Sequence, residues 1–170
     1  KVLYPEDNHY AGRELRLKQQ YFFASASVQY ALKDFEETYG PRWDRLPEKM
    51  AIHINDTHPG LAIPEMMRIL MDEKGLAWDR AERICQGVFA YTNHTILAEA
   101  LEKWPIDMVK SLLPRIYMIL EEMNRRQCAQ LWDRFPGQWD RIGKMAIIAD
   151  NQVQMAYLCI WVSHNVNGVS

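Results

Sequence analysis

Apolar and polar positions alternate along the chain in blocks that predict helices laid around short strands. From residue 12, Leu17, Tyr21, Ala24, Val28, Ala31 and Phe35 recur at three- and four-residue steps, one apolar stripe on a long amphipathic helix. Gly40 and Pro41 stop it. Residues 42–49 read as a polar connection into the run 50–54, which is short, apolar and β-branched, as a strand covered on both faces would be. Such a strand turns His53 into the core. Helical spacing returns at Leu61, with Pro64 near the helix start, Met66, Met67, Ile69 and Leu70 along it, and an end near Gly75. A helix over 78–85, a strand over 87–91 and a helix over 97–104, carrying Glu99 and Glu102 and closing at Pro105, follow. Helices over 106–113 and 115–135 flank Pro114, and Pro136 with Gly137 breaks the run. After a short helix over 139–144, the apolar runs 145–149 and 155–162 predict a hairpin-like pair of strands joined by Asp150, Asn151 and Gln152. Residues 1–8, with Pro5, read as an extended lead-in.

Three of these strands stop abruptly in polar groups. The first ends in Asn55, Asp56, Thr57 and His58, the second in Thr92, Asn93, His94 and Thr95, and the third in Ser163, His164 and Asn165, with Asn167 and Gly168 just beyond. In open α/β sheets ligands gather where the carboxyl ends of parallel strands meet the following loops. Amides, imidazoles and hydroxyls both donate and accept, so a set built from them suits a ligand presenting many hydroxyl groups, and a sugar fits best. Any one such loop is equally well explained by helix capping and turn chemistry. Three together favour a site.

Composition narrows the class without naming it. The 170 residues, 48% apolar and 25% charged, are enough for one soluble domain and cramped for two. A net charge of −2 gives no electrostatic case for nucleic acid or an acidic membrane surface. No apolar run approaches the roughly 20 residues of a membrane span and no signal peptide is visible, so the expectation is a cytoplasmic protein. The chain opens on Lys1 and closes on Ser170 within structured-looking sequence, which reads as a piece cut from a longer protein. Three widely spaced cysteines, Cys85, Cys128 and Cys159, make neither a disulfide framework nor a metal motif. The glycosylation sequons at Asn55 and Asn93 fall inside the candidate site, where a glycan could not fit.

Other chemistry fares poorly. His53, Asp56, His58 and His94 lack the helical spacing of a zinc motif, and neither a Gly-x-Ser-x-Gly elbow nor a glycine-rich phosphate loop is present. Trp-Asp-Arg occurs at 43, 78, 132 and 139, too irregularly for a propeller; Trp followed by Asp is expected to open short helices, with the acid at the positive end and the indole inward.

Longer strings carry more. Lys-Val-Leu-Tyr-Pro at 1–5, Glu-Leu-Arg-Leu-Lys-Gln-Gln-Tyr-Phe at 14–22, Asn-Asp-Thr-His-Pro at 55–59 and Ala-Tyr-Thr-Asn-His-Thr at 90–95 are followed by Glu-Ala-Leu-Glu-Lys-Trp-Pro at 99–105, Leu-Leu-Pro-Arg at 112–115 and Val-Asn-Gly-Val at 166–169. In this order, and across essentially the whole chain, they closely resemble the glycogen and maltodextrin phosphorylases. The resemblance implies an α/β fold with helices around a mainly parallel sheet, 1–170 forming a single partial domain from the later part of the N-terminal domain of a two-domain GT-B type glycosyltransferase. It implies release of glucose 1-phosphate from α-1,4-glucan with inorganic phosphate and pyridoxal 5′-phosphate. By the same resemblance His94 and Asp56 are the candidate catalytic residues, His94 holding the glucosyl unit partly through its 6-hydroxyl. Asn55, His58, Tyr91, Thr95, Glu102, Asn167 and Val169 are candidate substrate-binding residues. The cofactor lysine is absent from this chain, which alone is expected to be inactive. The parent is expected to be a homodimer, and the piece, with open sheet edges, to self-associate.

The string match has departures. The family usually has Pro at Ala98, Gln at His53 and small residues at Trp161 and Val162, and the connection from Gly40 to Met50 is shorter here. An arginine pair that binds AMP in the animal enzymes is matched by Lys33 and Asp34, so AMP activation is not expected. The rival reading is a non-catalytic glucan-binding or interaction module.

Overall fold

The computed structural model of the protein describes residues 9–97 and 101–169. The lead-in over 1–8, and Ala98 and Glu99 of the helix expected over 97–104, lie outside the described residues. The long helix is α1, Tyr10–Tyr39, and it buries Leu17, Ala24, Val28, Leu32 and Phe35, close to the stripe marked out by spacing. Gly40 ends it with φ of 73°, donating its N–H to Glu36 O at 2.9 Å, a backbone conformation that a Cβ would strain. The connection is more ordered than its polarity suggests. A 3₁₀ turn, Trp43–Arg45, and the short helix α2, Leu46–Lys49, bury Trp43 and Leu46 in the core.

The chain continues through β1 (Ile52–Asn55), α3 (Ala62–Arg68) with a π-helical turn Ile69–Glu73, α4 (Trp78–Val88) and β2 (Phe89–Asn93). Then come β3 (Lys103–Pro105), α5 (Ile106–Leu112), α6 (Pro114–Arg134), α7 (Trp139–Met145), β4 (Ile148–Ala149), β5 (Gln152–Gln154), α8 (Met155–Val162) and β6 (Asn165–Gly168). The parallel sheet has the order β1-β2-β6, with Asn55 opposite Thr92 and Thr92 opposite Asn167. The fold is α/β, with helices and a parallel sheet as expected, and it adds a second, small antiparallel sheet of order β3-β5-β4.

Four expectations are corrected. Residues 155–162 are the helix α8 and not a strand: Met155, Leu158, Cys159 and Val162 are buried, the i, i+3, i+4, i+7 pattern of a helix face. An eight-residue apolar run is ambiguous between buried helix and buried strand, and here the strand is the polar stretch that follows. The hairpin is also shorter and earlier. Asp150 and Asn151, with φ of 52° and 57°, form the two-residue turn between β4 and β5, the left-handed pair that hairpins favour. The helix expected over 97–104 gives way to β3, which pairs with β5 and buries Trp104. Finally, β1 is covered on one face only. Ile54 faces the core while His53 lies on the exposed side, its Nε2 2.6 Å from Thr92 Oγ1.

Trp-Asp-Arg opens the Trp43 turn, α4 and α7, each with its acid in the first turn, but at Trp132 it closes α6. The inward indole holds at Trp43; Trp139 is 69% exposed and stacks on Trp132 at 4.2 Å.

At the centre lies α3, buried over Ala62 to Met67 and packed on α1, α4 and α6. Its Glu65 is 0% exposed, which is costly for a charge unless every lone pair is used. Tyr21 and Ser25 of α1 each donate a hydroxyl at 2.7 Å, and Arg68 donates from Nε and Nη2 at 2.8 Å. Burial alone would raise the Glu65 carboxyl, but the hydrogen bonds from Arg68, Ser25 and Tyr21 outweigh it and the net direction is down. Burial, with the hydrogen bond to Glu65, pushes the Tyr21 hydroxyl up to about 12.

Candidate functional site

Parallel pairing of β1, β2 and β6 brings their carboxyl ends side by side, so Asn55, Asn93 and Gly168 end neighbouring strands. The loop after β1 is shaped by two features. Asp56 sits in the left-handed region at φ 57°, which Asp tolerates better than most residues, and donates its N–H to Thr92 O at 2.9 Å. Thr57 is fully buried, closes a turn to Gly60 N at 2.9 Å, and accepts the Glu102 N–H at 3.2 Å on its hydroxyl. Gly60 is needed for close approach: a Cβ there would lie 2.9 Å from Met155 Cε, 3.0 Å from Thr57 O and 3.2 Å from Cys159 Sγ. The loop is thereby pressed onto α8.

From β2 the chain meets this loop directly. His94 donates its backbone N–H to Asp56 Oδ1 at 2.8 Å, and its ring Nε2 lies 3.0 Å from Asn55 Oδ1. Asn93 Oδ1 accepts the Thr95 N–H at 3.1 Å, and Thr95 Oγ1 accepts the Leu97 N–H at 3.1 Å, which turns the chain away from the sheet. Val169 donates its N–H to Asn93 O at 3.0 Å, continuing the ladder of β6. Asn55, Asp56, His94, Thr95, Asn167 and Val169 thus share one edge, mostly exposed, where amides and an imidazole outnumber charges.

The other candidates are placed differently. His58 is exposed on the turn after Thr57. Tyr91 is 2% exposed, and its hydroxyl has no hydrogen-bond partner among the described residues; burial, with smaller effects from Cys159 and Asp56, pushes it up to about 12. Glu102 has its backbone tied to the site, through Thr57 and through Met155 N at 3.1 Å, but its carboxylate turns to α1. There it accepts from Arg16 Nε at 2.8 Å and Gln20 Nε2 at 3.0 Å.

Sequence reasoning put Thr57 at the strand end without its buried, loop-fixing role, and missed Arg16 and Gln20. A signal existed for the last two: Arg13, Arg16 and Gln20 recur at three- and four-residue steps and all reach residues 102 and 103. His164, inside the third polar run, is instead a tether. Its Nδ1 donates to Gln86 O at 3.1 Å and its N–H to Phe89 O at 3.1 Å, so it anchors the start of β6. Among the described residues no three His, Cys, Asp or Glu side chains are grouped to hold a metal ion, and no helix is long and apolar enough to cross a membrane.

Comparison with known proteins decides the family. The carbohydrate phosphorylase model matches residues 1–170, the whole chain. The chain belongs to the carbohydrate phosphorylase family. This phosphorylase-family chain is 52% identical over 170 residues to glycogen phosphorylase of Bacillus subtilis, covering all of this chain and 21% of that protein. It is 45% identical over 180 residues to the muscle form of glycogen phosphorylase from Ovis aries, and likewise 45% to the liver form from Homo sapiens, again over all of this chain and 21% of each. The chain therefore spans about a fifth of the length of the curated relatives it matches. Within this phosphorylase-family chain the resemblance strings at 55–59, 90–95 and 166–169 fall at or beside the three adjacent strand ends.

Proposed function

We propose that this chain supplies part of the glucosyl-binding site of an α-1,4-glucan phosphorylase of the two-domain GT-B type, which releases glucose 1-phosphate from glycogen or maltodextrin. The observation that carries the reading is the shared edge of β1, β2 and β6, where Asn55, Asp56, His94 and Asn167 come together in a chain of this family. Amide and imidazole groups there match the alternating donor and acceptor demands of sugar hydroxyls, each of which can both give and take a hydrogen bond. His94 is the group that holds the glucosyl unit, and Asp56 fixes the His94 main chain by accepting its N–H. Thr57 and Gly60 keep the loop seated on α8, so the edge is presented by rigid elements.

Pyridoxal 5′-phosphate, when bound in the parent, supplies a phosphate that exchanges a proton with the inorganic phosphate. The donor set on this edge fits a sugar and not the cofactor's attachment. Asn55, Asp56, His58, Tyr91, His94, Thr95, Glu102, Asn167 and Val169 include no lysine for its aldehyde and no arginine for its phosphate. No step is assigned to these residues through that group. Lys33 on α1 faces Glu37 at 3.7 Å on an exposed surface and is followed by Asp34, an arrangement without a cation pair for a nucleotide phosphate, so the parent is not activated by AMP.

The reading is tested by hydrogen exchange of the full-length gene product with and without glucose 1-phosphate. Protection that, within these 170 residues, centres on 55–58, 93–97 and 167–169 supports it. Protection elsewhere with none on this edge removes the site. Maltodextrin binding by a full-length product that shows no phosphorolysis gives the non-catalytic module instead.

A further inference from the structure

Three residues of α1 grip the chain where it returns from the strand edge. Arg13, Arg16 and Gln20 follow one another at steps of three and four, so they project from one face of the helix. Arg13 Nη2 donates to Lys103 O at 3.0 Å, and its guanidinium lies 5.6 Å from the centre of the Trp104 ring. Arg16 Nε donates to Glu102 Oε1 at 2.8 Å and Gln20 Nε2 to Glu102 Oε2 at 3.0 Å. The Glu102 side chain is only 10% exposed, so these donors, and not water, hold its carboxylate. Its main chain is tied as well. Glu102 N–H goes to the hydroxyl of the buried Thr57 at 3.2 Å, and Glu102 O accepts from Met155 N at 3.1 Å at the start of α8.

What Glu102 holds in this way is the β1 loop. Thr57 follows Asp56, whose carboxylate takes the His94 N–H at 2.8 Å, so the chain is fastened to two successive loop residues, first at His94 and again at Glu102. A carboxylate gripped at both oxygens is not free to turn towards water and draw its own N–H away from Thr57. We infer that Arg16 is a positioning residue for the edge of β1, β2 and β6: through its ion pair with Glu102 it keeps the Glu102 N–H on Thr57, and so fixes the loop that sets Asp56 and His94. The inference rests on this edge as the sugar site, but the grip on the loop can be read without activity.

Removing one partner of a part-buried ion pair leaves the other charge uncompensated. In the full-length protein, Arg16→Met keeps the apolar stem and takes the cation away from Glu102. It is expected to speed hydrogen exchange at 55–58 and 101–104, with α3 unaltered, and to lower kcat/KM for phosphorolysis on the order of tenfold, the scale of one hydrogen bond. Adding Glu102→Gln to Arg16→Met removes the stranded charge and is expected to recover severalfold of that loss. A merely structural role for Arg16 would make the two substitutions additive, with no recovery in the double variant, and that overturns the inference. Exchange at 55–58 unchanged in Arg16→Met also overturns it. Absence of phosphorolysis in wild type, with exchange at 55–58 faster in Arg16→Met, removes the phosphorylase reading and leaves the grip of Arg16 on the loop intact.

Discussion

Two carboxylates on neighbouring parts of this molecule are treated in opposite ways. Glu65, where α1 crosses α3, is wholly buried and receives hydrogen bonds from Tyr21, Ser25 and, twice, Arg68. Asp56, at the strand edge, is half-buried on a left-handed turn and takes a backbone N–H from His94, beside the exposed Asn55 and His94 side chains. A buried carboxylate whose lone pairs are all used by its own chain can hold helices together but has nothing to offer a ligand. An edge built on exposed amides and imidazoles is open to solvent and so has donors and acceptors left to offer a ligand, as the proposed sugar site requires. Glu102 lies between the two cases, its backbone in the site and its carboxylate committed to Arg16 and Gln20.

The contrast is broken most severely at Glu65. Glu65→Ala removes the acceptor that Tyr21, Ser25 and Arg68 share, leaving the half-buried Arg68 with Glu73 alone, and is expected to cost about 3–5 kcal/mol, read as faster hydrogen exchange of α1 and α3 in the full-length protein. A change below about 1 kcal/mol would mean that the network is not structural. The pH dependence has a fixed sign. Because the folded Glu65 carboxyl lies below its ordinary 4.5, its contribution is complete above that value and is lost as pH falls through the folded value. Opening of α1 and α3 that is unchanged on acidification would contradict this.

Next in size is Gly60→Ala, which forces Met155 or the loop to move and is expected to cost about 1–3 kcal/mol. Unlike Glu65→Ala it should loosen α8 and the β1 loop together, which exchange at those segments would show. Asp56→Asn keeps both the left-handed preference and an acceptor for His94 N, so stability should change by less than about 1 kcal/mol. Glu102→Gln, which retains an acceptor for Arg16 and Gln20, is expected to have the smallest effect on phosphorolysis, less than about threefold. A larger loss would give its carboxylate a direct role with the sugar.

Helices long enough to show their period were legible in the sequence: α1 from Leu17 to Phe35, and α6 on either side of Leu120. So was the placement of polar strand ends on β1 and β2. The third strand was not, because the apolar run at 155–162 satisfies a buried helix as well as a strand, and β6 has no apolar alternation to mark it. Residues 103–105 defeated the helical reading through a long-range partner, β5, that no local pattern encodes. His53 and His164 look alike in sequence to His94. Only the fold separates a ring on Thr92, a tether on Gln86 and a ring on Asn55.

The central claim, that this edge serves glucan phosphorolysis, is tested most directly by phosphate-dependent release of glucose 1-phosphate from maltodextrin by the full-length gene product, wild type beside His94→Ala. Release by wild type that falls about tenfold to a hundredfold in His94→Ala, with exchange of α1 and α3 unaltered, is the expected result. No release by wild type, or an undiminished rate in His94→Ala, would contradict it.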